Sequence, residues 1–101
     1  MIVYEVNLDV RDAVFEAYRA WLGPHVAEIL ALPGFESAEI FERSDPPPAS
    51  GVRALTVWYR VVDESALRRY FTDHAPRLRA DGVQRFGDAV SATRRVLVPM
   101  S

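Results

Sequence analysis

The chain has 101 residues, half of them apolar and about a quarter charged, with a formal net charge of −2. That length allows one packed core with a high surface-to-volume ratio, and the near-neutral balance provides no basic field to recruit nucleic acid or an anionic membrane. Cysteine is absent, which excludes disulfides and thiolate chemistry, and lysine is absent too, so arginine supplies all twelve Lys/Arg positions.

Residues 2–10 alternate. Ile2, Tyr4, Val6, Leu8 and Val10 fall on one face and Val3, Glu5, Asn7 and Asp9 on the other, the pattern of a half-buried strand. No basic segment precedes an apolar run there, so the start does not read as a signal peptide. No apolar stretch approaches the ~20 residues that cross a bilayer, so a soluble cytoplasmic protein with no membrane partner is expected. From Asp12 the period becomes helical, with Val14, Tyr18, Trp21, Leu22, Val26, Ile29 and Leu30 along one stripe. Gly23-Pro24 is expected to interrupt this helix and Pro33-Gly34 to stop it. Residues 35–43 read as a second strand. Residues 44–51 hold three successive prolines, which cannot donate to a ladder, and read as a loop. Residues 53–62, rich in β-branched and aromatic side chains, are the strongest strand.

Asp63 offers an N-cap to a second amphipathic helix marked by Leu67, Tyr70, Phe71 and His74. Asp73 is expected to cap a fresh segment with Pro76 in its first turn, where a missing N–H costs nothing. Ala75, Leu78, Gly82 and Phe86 recur as one buried stripe, with Gly82 allowing close approach of helix to sheet. Arg77, Asp81 and Arg85 form an i, i+4 ladder on another face. Gly87 ends the helix, and residues 89–98 make a last strand. Placing His25 over His74 also places Trp21 over Tyr70, Leu22 over Phe71 and Ile29 over Leu78. This echo predicts that both helices break at equivalent places, near Gly23-Pro24 and near His74 to Pro76.

The order β-α-β-β-α-β predicts the ferredoxin-like α+β plan, a four-stranded antiparallel sheet with two broken helices on one face. Alternation places Tyr4, Val6, Leu8, Leu55, Val57, Tyr59, Val61, Val90, Ala92 and Val96 under the helices. The open face receives Val3, Glu5, Asn7, Ser37, Glu39, Phe41, Thr56, Trp58, Arg60, Thr93, Arg95 and Leu97. A solvated face would rarely carry Val3, Phe41, Trp58 and Leu97 together, so a homodimer formed through this face, enclosing a wet cavity, is expected.

MIVYEVNL at the start, LPGF at 32–35, HAPRLRADG at 74–82 with RFG at 85–87, and RRVL at 94–97 resemble a bacterial domain family of unknown function. The likeness covers essentially the whole chain except the proline loop. That family is similar to the dimeric α+β barrel superfamily, in which two ferredoxin-like subunits pack their sheets face to face. The resemblance implies a single domain over residues 1–101 and a homodimer; it carries no catalytic residues.

On the mixed face the candidate ligand-binding residues are Asn7, Glu39, Trp58 and Arg60, with His74 at the edge. Arg60 supplies a planar fork for an anion and Trp58 a stacking wall, so the expected ligand is small and partly aromatic or anionic. One alternative is a structural or regulatory dimer with no ligand. Another is a monooxygenase-like enzyme. In a cofactor-free version Glu5 or Glu39 would be the base and Arg60, Asn7 and Trp58 the donors. In a haem-degrading version, similarity to that branch of the superfamily points to Asn7, Trp58 and His74. The structural reading of the same residues pairs Glu5 with Arg60 across strands. It bonds Asn7 to a neighbouring side chain, buries Trp58 in the interface and leaves His74 as a helix cap. His25 and His74 have no ligand spacing, and neither a phosphate loop nor a G-x-S-x-G serine occurs, so no metal or cofactor is expected. Glu5 and Glu39 oppose phosphate, so no nucleic acid is expected.

Overall fold

The computed structural model describes residues 1–100; Ser101, the last residue of the expected domain, lies outside the described residues. The chain runs through β1 (Ile2–Arg11), a 3-10 turn (Asp12–Val14), α1 (Phe15–Leu30), β2 (Phe35–Glu42) and β3 (Val52–Val61). It continues through α2 (Glu64–Asp73), α3 (Ala75–Phe86), a second 3-10 turn (Gly87–Ala89) and β4 (Val90–Leu97). The strands form one antiparallel sheet in the order β2-β3-β1-β4. This is the expected ferredoxin-like α+β plan, with the helices on one face. Among the described residues, no helix is long and apolar enough to cross a membrane.

The core sits between the sheet and the helical layer. Ile2, Tyr4, Leu8 and Val10 of β1 and Leu55, Val57, Tyr59 and Val61 of β3 pack beneath Tyr18, Leu22, Val26 and Ile29 of α1, Leu67 and Tyr70 of α2, and Leu78 of α3. Each such aliphatic side chain contributes about 1.5–3 kcal/mol by leaving water. Phe15 also belongs to the core although the helical stripe did not include it. The Arg53 guanidinium covers its ring at 3.6 Å from the centroid.

The first expected break is absent: α1 continues through Gly23 and Pro24. The residue before a proline normally avoids helical angles because its β-carbon meets the ring, and a glycine there removes that contact. Buried residues on both sides of Pro24, Tyr18 and Leu22 before it and Val26 and Ile29 after it, hold the segment on one face despite the lost hydrogen bond. The second break is present. His74 is at once the C-cap of α2, its N–H donating to the Tyr70 carbonyl at 3.0 Å, and the N-cap of α3. Pro76 occupies the first turn as expected. Asp73, however, ends α2 instead of capping α3, whose N-terminus has no side-chain cap. Asp63 does cap α2, accepting the Ala66 N–H at 2.8 Å.

Three further expectations change. Gly82 faces α1, not the sheet: a β-carbon there would lie 3.1 Å from Cη2 of Trp21. Arg77 donates to Glu28 of α1 at 3.1 Å, so only Asp81 and Arg85 remain of the ladder, at 3.3 Å. Ala92 and Val96 point to the helix side of β4 but are exposed, because β4 is an edge strand beyond the reach of the helices and only Val90 and Leu97 on it are half-buried. Gly34 ends the α1–β2 turn at φ +89°, and a β-carbon there would lie 2.5 Å from that of Ala66.

Candidate functional site

On the open face the register of β1 sets Glu5 directly between Trp58 of β3 and Arg95 of β4. Its Oε1 accepts the Trp58 indole N–H at 2.9 Å, and its Oε2 accepts from Arg95 Nε at 2.6 Å and from Asn7 Nδ2 at 2.8 Å. The Thr56 hydroxyl donates to Asn7 Oδ1 at 2.7 Å and completes the chain. Glu5 is only 4 % exposed, and hydrogen bonding to Arg95, with help from Asn7 and Trp58, outweighs burial and holds its carboxyl down at about 2. A carboxylate held by three donors is an anchor, not an available base.

The expected Glu5–Arg60 pair does not form. Glu5 takes Arg95, and Arg60 instead donates to Glu39 at 3.3 Å in an exposed pair. Asn7 and Trp58 are brought together through Glu5, and Glu39 stands opposite Trp58 in the register of β2 and β3. Phe41 meets the Trp58 ring edge-on at 5.4 Å. His74 lies apart from these four, at the α2–α3 junction in the helical layer on the other side of the sheet. Asn7, Trp58 and His74 therefore do not surround one space, as a haem site built from them would require.

A second site, not anticipated from the sequence, lies on the helix side. A cavity of about 100 Å³ is enclosed by all four tyrosines of the chain, Tyr4, Tyr18, Tyr59 and Tyr70, together with Trp21, His25, Arg79 and Arg94. Tyr4 stacks on Tyr59 at 5.7 Å, and its hydroxyl accepts from Arg79 at 3.2 Å. Trp21 stacks on His25 at 4.3 Å, while Phe86 packs edge-on against both Trp21 and Tyr18. Trp21 can lie this close to α3 because Gly82 presents no side chain. Exposed Val83, Gly87, Ala92 and Arg94 mark the mouth, between α3 and the uncovered edge of β4.

Burial governs ionisation around this space. It raises Tyr18 and Tyr70 to about 12 and Tyr59 further still, so these phenols stay protonated and can donate. Burial also lowers His25 against the opposing pull of Glu28 and Asp81, which favours the neutral imidazole. Two guanidiniums and no carboxylate line the cavity. Among the described residues, no group of three or more His, Cys, Asp or Glu is placed to hold a metal ion. One sequence signal pointed here: every tyrosine fell at a core position, and buried phenol oxygens require partners. Arg79 and Arg94 carried no such signal.

Solved structures share this fold over nearly their full length. A candidate antibiotic biosynthesis monooxygenase from Deinococcus radiodurans superimposes with a TM-score of 0.75 at 11% identity, covering 100% of this chain and 94% of that one. A mutant of SnoaB, a cofactor-independent oxygenase from Streptomyces nogalater, gives 0.67 at 13% identity over 99% and 94%. Rv0793 from Mycobacterium tuberculosis gives 0.63 at 22% identity over 100% and 97%. No curated protein matches the sequence. The model of the family described as "Domain of unknown function (DUF4286)" matches residues 1–100, and the chain belongs to that family.

Proposed function

We propose that this chain is a cytoplasmic homodimeric domain that binds a small ligand in the helix-side cavity, with the open sheet face covered by a second copy. The observation behind this reading is the gathering of all four tyrosines, Trp21, His25 and two arginines around one space. A purely structural core is packed to crystal-like density with few voids; a cavity with aromatic walls and a few convergent polar groups suits a ligand. On the open face, partly exposed Val3, Phe41, Trp58 and Leu97 surround a polar network that is already satisfied internally. That chemistry suits a like surface. Asn7, Glu39, Trp58 and Arg60 then serve the dimer, and His74 serves the helix junction.

Sedimentation at micromolar concentration tests the dimer, and a monomer there overturns it. A thermal-shift screen of small aromatic and acidic compounds tests the ligand, because binding to the native state raises the midpoint by mass action. The rise is expected to vanish in Ala92→Phe, which fills the mouth from an exposed position. A rise that persists in that variant moves the ligand elsewhere. No rise with any compound leaves the structural dimer.

A cofactor-free oxygenase is the second reading, favoured by one observation: a histidine, whose neutral form burial favours, and two guanidiniums line the same cavity. His25 would take a proton from the ligand and Arg79 and Arg94 would hold the anion formed. SnoaB is described as such an oxygenase. Ligand-dependent oxygen uptake that disappears in His25→Asn is the expected result.

A further inference from the structure

We propose that the helix-side cavity takes a monocyclic aromatic carboxylate, its ring between the tyrosines and Trp21 and its carboxylate on Arg94 at the mouth. The proposal rests on the reading that this cavity is the ligand site, and it adds the class of ligand.

Charge is the first argument. The chain as a whole has more acids than bases, 14 against 12, yet two arginines and no acid line the cavity. The two carboxylates that act on His25 are already paired elsewhere, Glu28 with Arg77 at 3.1 Å and Asp81 with Arg85 at 3.3 Å. Arg94 has no acidic partner among the described residues, whereas Arg95, the next residue along β4, is spent on Glu5 on the opposite face. Arg94 itself lines the cavity, opposite Val6 in the register of β1 and β4. A guanidinium at the mouth of an aromatic-walled cavity without carboxylates is completed by a planar anion that it can grip with two parallel hydrogen bonds.

Shape and donors are the second argument. The walls are flat aromatic rings, and about 100 Å³ is less than the ~150 Å³ of an apolar cavity that holds benzene, so one ring fills the space and its carboxylate must lie at the mouth. The Tyr18, Tyr59 and Tyr70 phenols remain protonated donors for any oxygen placed deeper in the space.

The chain contains only two tryptophans, and they report on opposite faces of the sheet. Trp21 lines the cavity, while the Trp58 indole N–H is bonded to Glu5 on the open face. Titration of the 15N-labelled protein with benzoate, and separately with benzamide, is therefore read at the two indole N–H resonances, assigned with Trp21→Phe. Benzoate is expected to move the Trp21 resonance saturably and leave that of Trp58 in place. Benzamide has the same ring and no charge, and Arg94→Gln keeps the stem and removes the cation; each should weaken binding roughly ten-fold or more. If benzamide binds as tightly as benzoate, the acid class is overturned while the cavity stands as a ligand site. If benzoate is preferred but Arg94→Gln binds it unchanged, the carboxylate does not sit on Arg94, and the proposal fails in that form. If neither compound moves Trp21, the aromatic-acid proposal falls, and the ligand reading falls with it when the thermal-shift screen is also blank.

Discussion

The Trp58 indole donates to Glu5 across 2.9 Å on the face of the sheet away from the helices, tying β3 to the centre of β1. All three partners of Glu5 are donors, so Glu5→Gln must turn its amide nitrogen toward one of them. Loss of about 1–3 kcal/mol at pH 7 is expected. The pH dependence has a definite sign. Because the folded carboxyl sits at about 2, below its ordinary 4.5, its stabilisation is fully present above 4.5 and disappears as pH falls toward 2. Urea midpoints of wild type and Glu5→Gln should differ at pH 7 and converge through that window. A gap that stays constant down to pH 2 would mean that Glu5 ionises alike in both states.

Gly23 and Pro24 should show a reversal of sign. With Pro24 present, Gly23→Ala adds a β-carbon against the proline ring and destabilises. Pro24→Ala restores a helical hydrogen bond and should stabilise, with about 3 kcal/mol as the upper limit from intrinsic propensity. In that background Gly23→Ala becomes stabilising by about 1 kcal/mol, since Gly23 has open space around it. A double-mutant cycle by chemical denaturation checks this, and additive effects would contradict it.

Gly82→Leu should cost about 1–3 kcal/mol by driving Trp21 from its place beside α3. Gly82→Ala should be close to neutral, because a gain of about 1 kcal/mol in helix propensity opposes the 3.1 Å approach to the tip of Trp21. If Trp21→Phe relieves the leucine variant, the strain lies between these two side chains and not against the sheet.

Trp58→Glu would place a second carboxylate beside Glu5 at the middle of the proposed dimer face. Dissociation to monomers is expected in sedimentation, since a buried charge without a partner is strongly unfavourable. A dimer that survives this change would have to use another surface.

Local pattern carried the fold further than it carried the site. The strict alternation of residues 2–10 and of β3 reflects one buried face per strand, so type and facing were readable directly. Pro24 does not break α1 because the local rule for breaking helices competes with tertiary packing, and the buried residues around it prevail. The break at His74 was legible because Pro76 is suited to a first turn. Which arginine would meet Glu5 depended on the register of β1 against β4, and alternation alone leaves Arg60 and Arg95 equivalent. The cavity was hidden for a related reason: single-chain periodicity buries each tyrosine separately and does not say that four of them converge.

The central position of β1 also bears on when the protein can complete its fold. Its two neighbours arrive late: Trp58 follows Glu5 by 53 residues and Arg95 follows it by 90. β4 is the last of the four strands in chain order, so until it is made one flank of β1 has no partner strand in this chain. Chains whose pairings span such separations fold more slowly than helical bundles of similar size, because loop-closure entropy is lost before the ladder returns anything. The exposed flank of β1 is in that interval an open edge for any other extended chain, so crowding at the exit tunnel would favour mispairing. Once β4 docks, the same strand becomes the most enclosed part of the sheet, and its amides should be among the last to exchange with solvent.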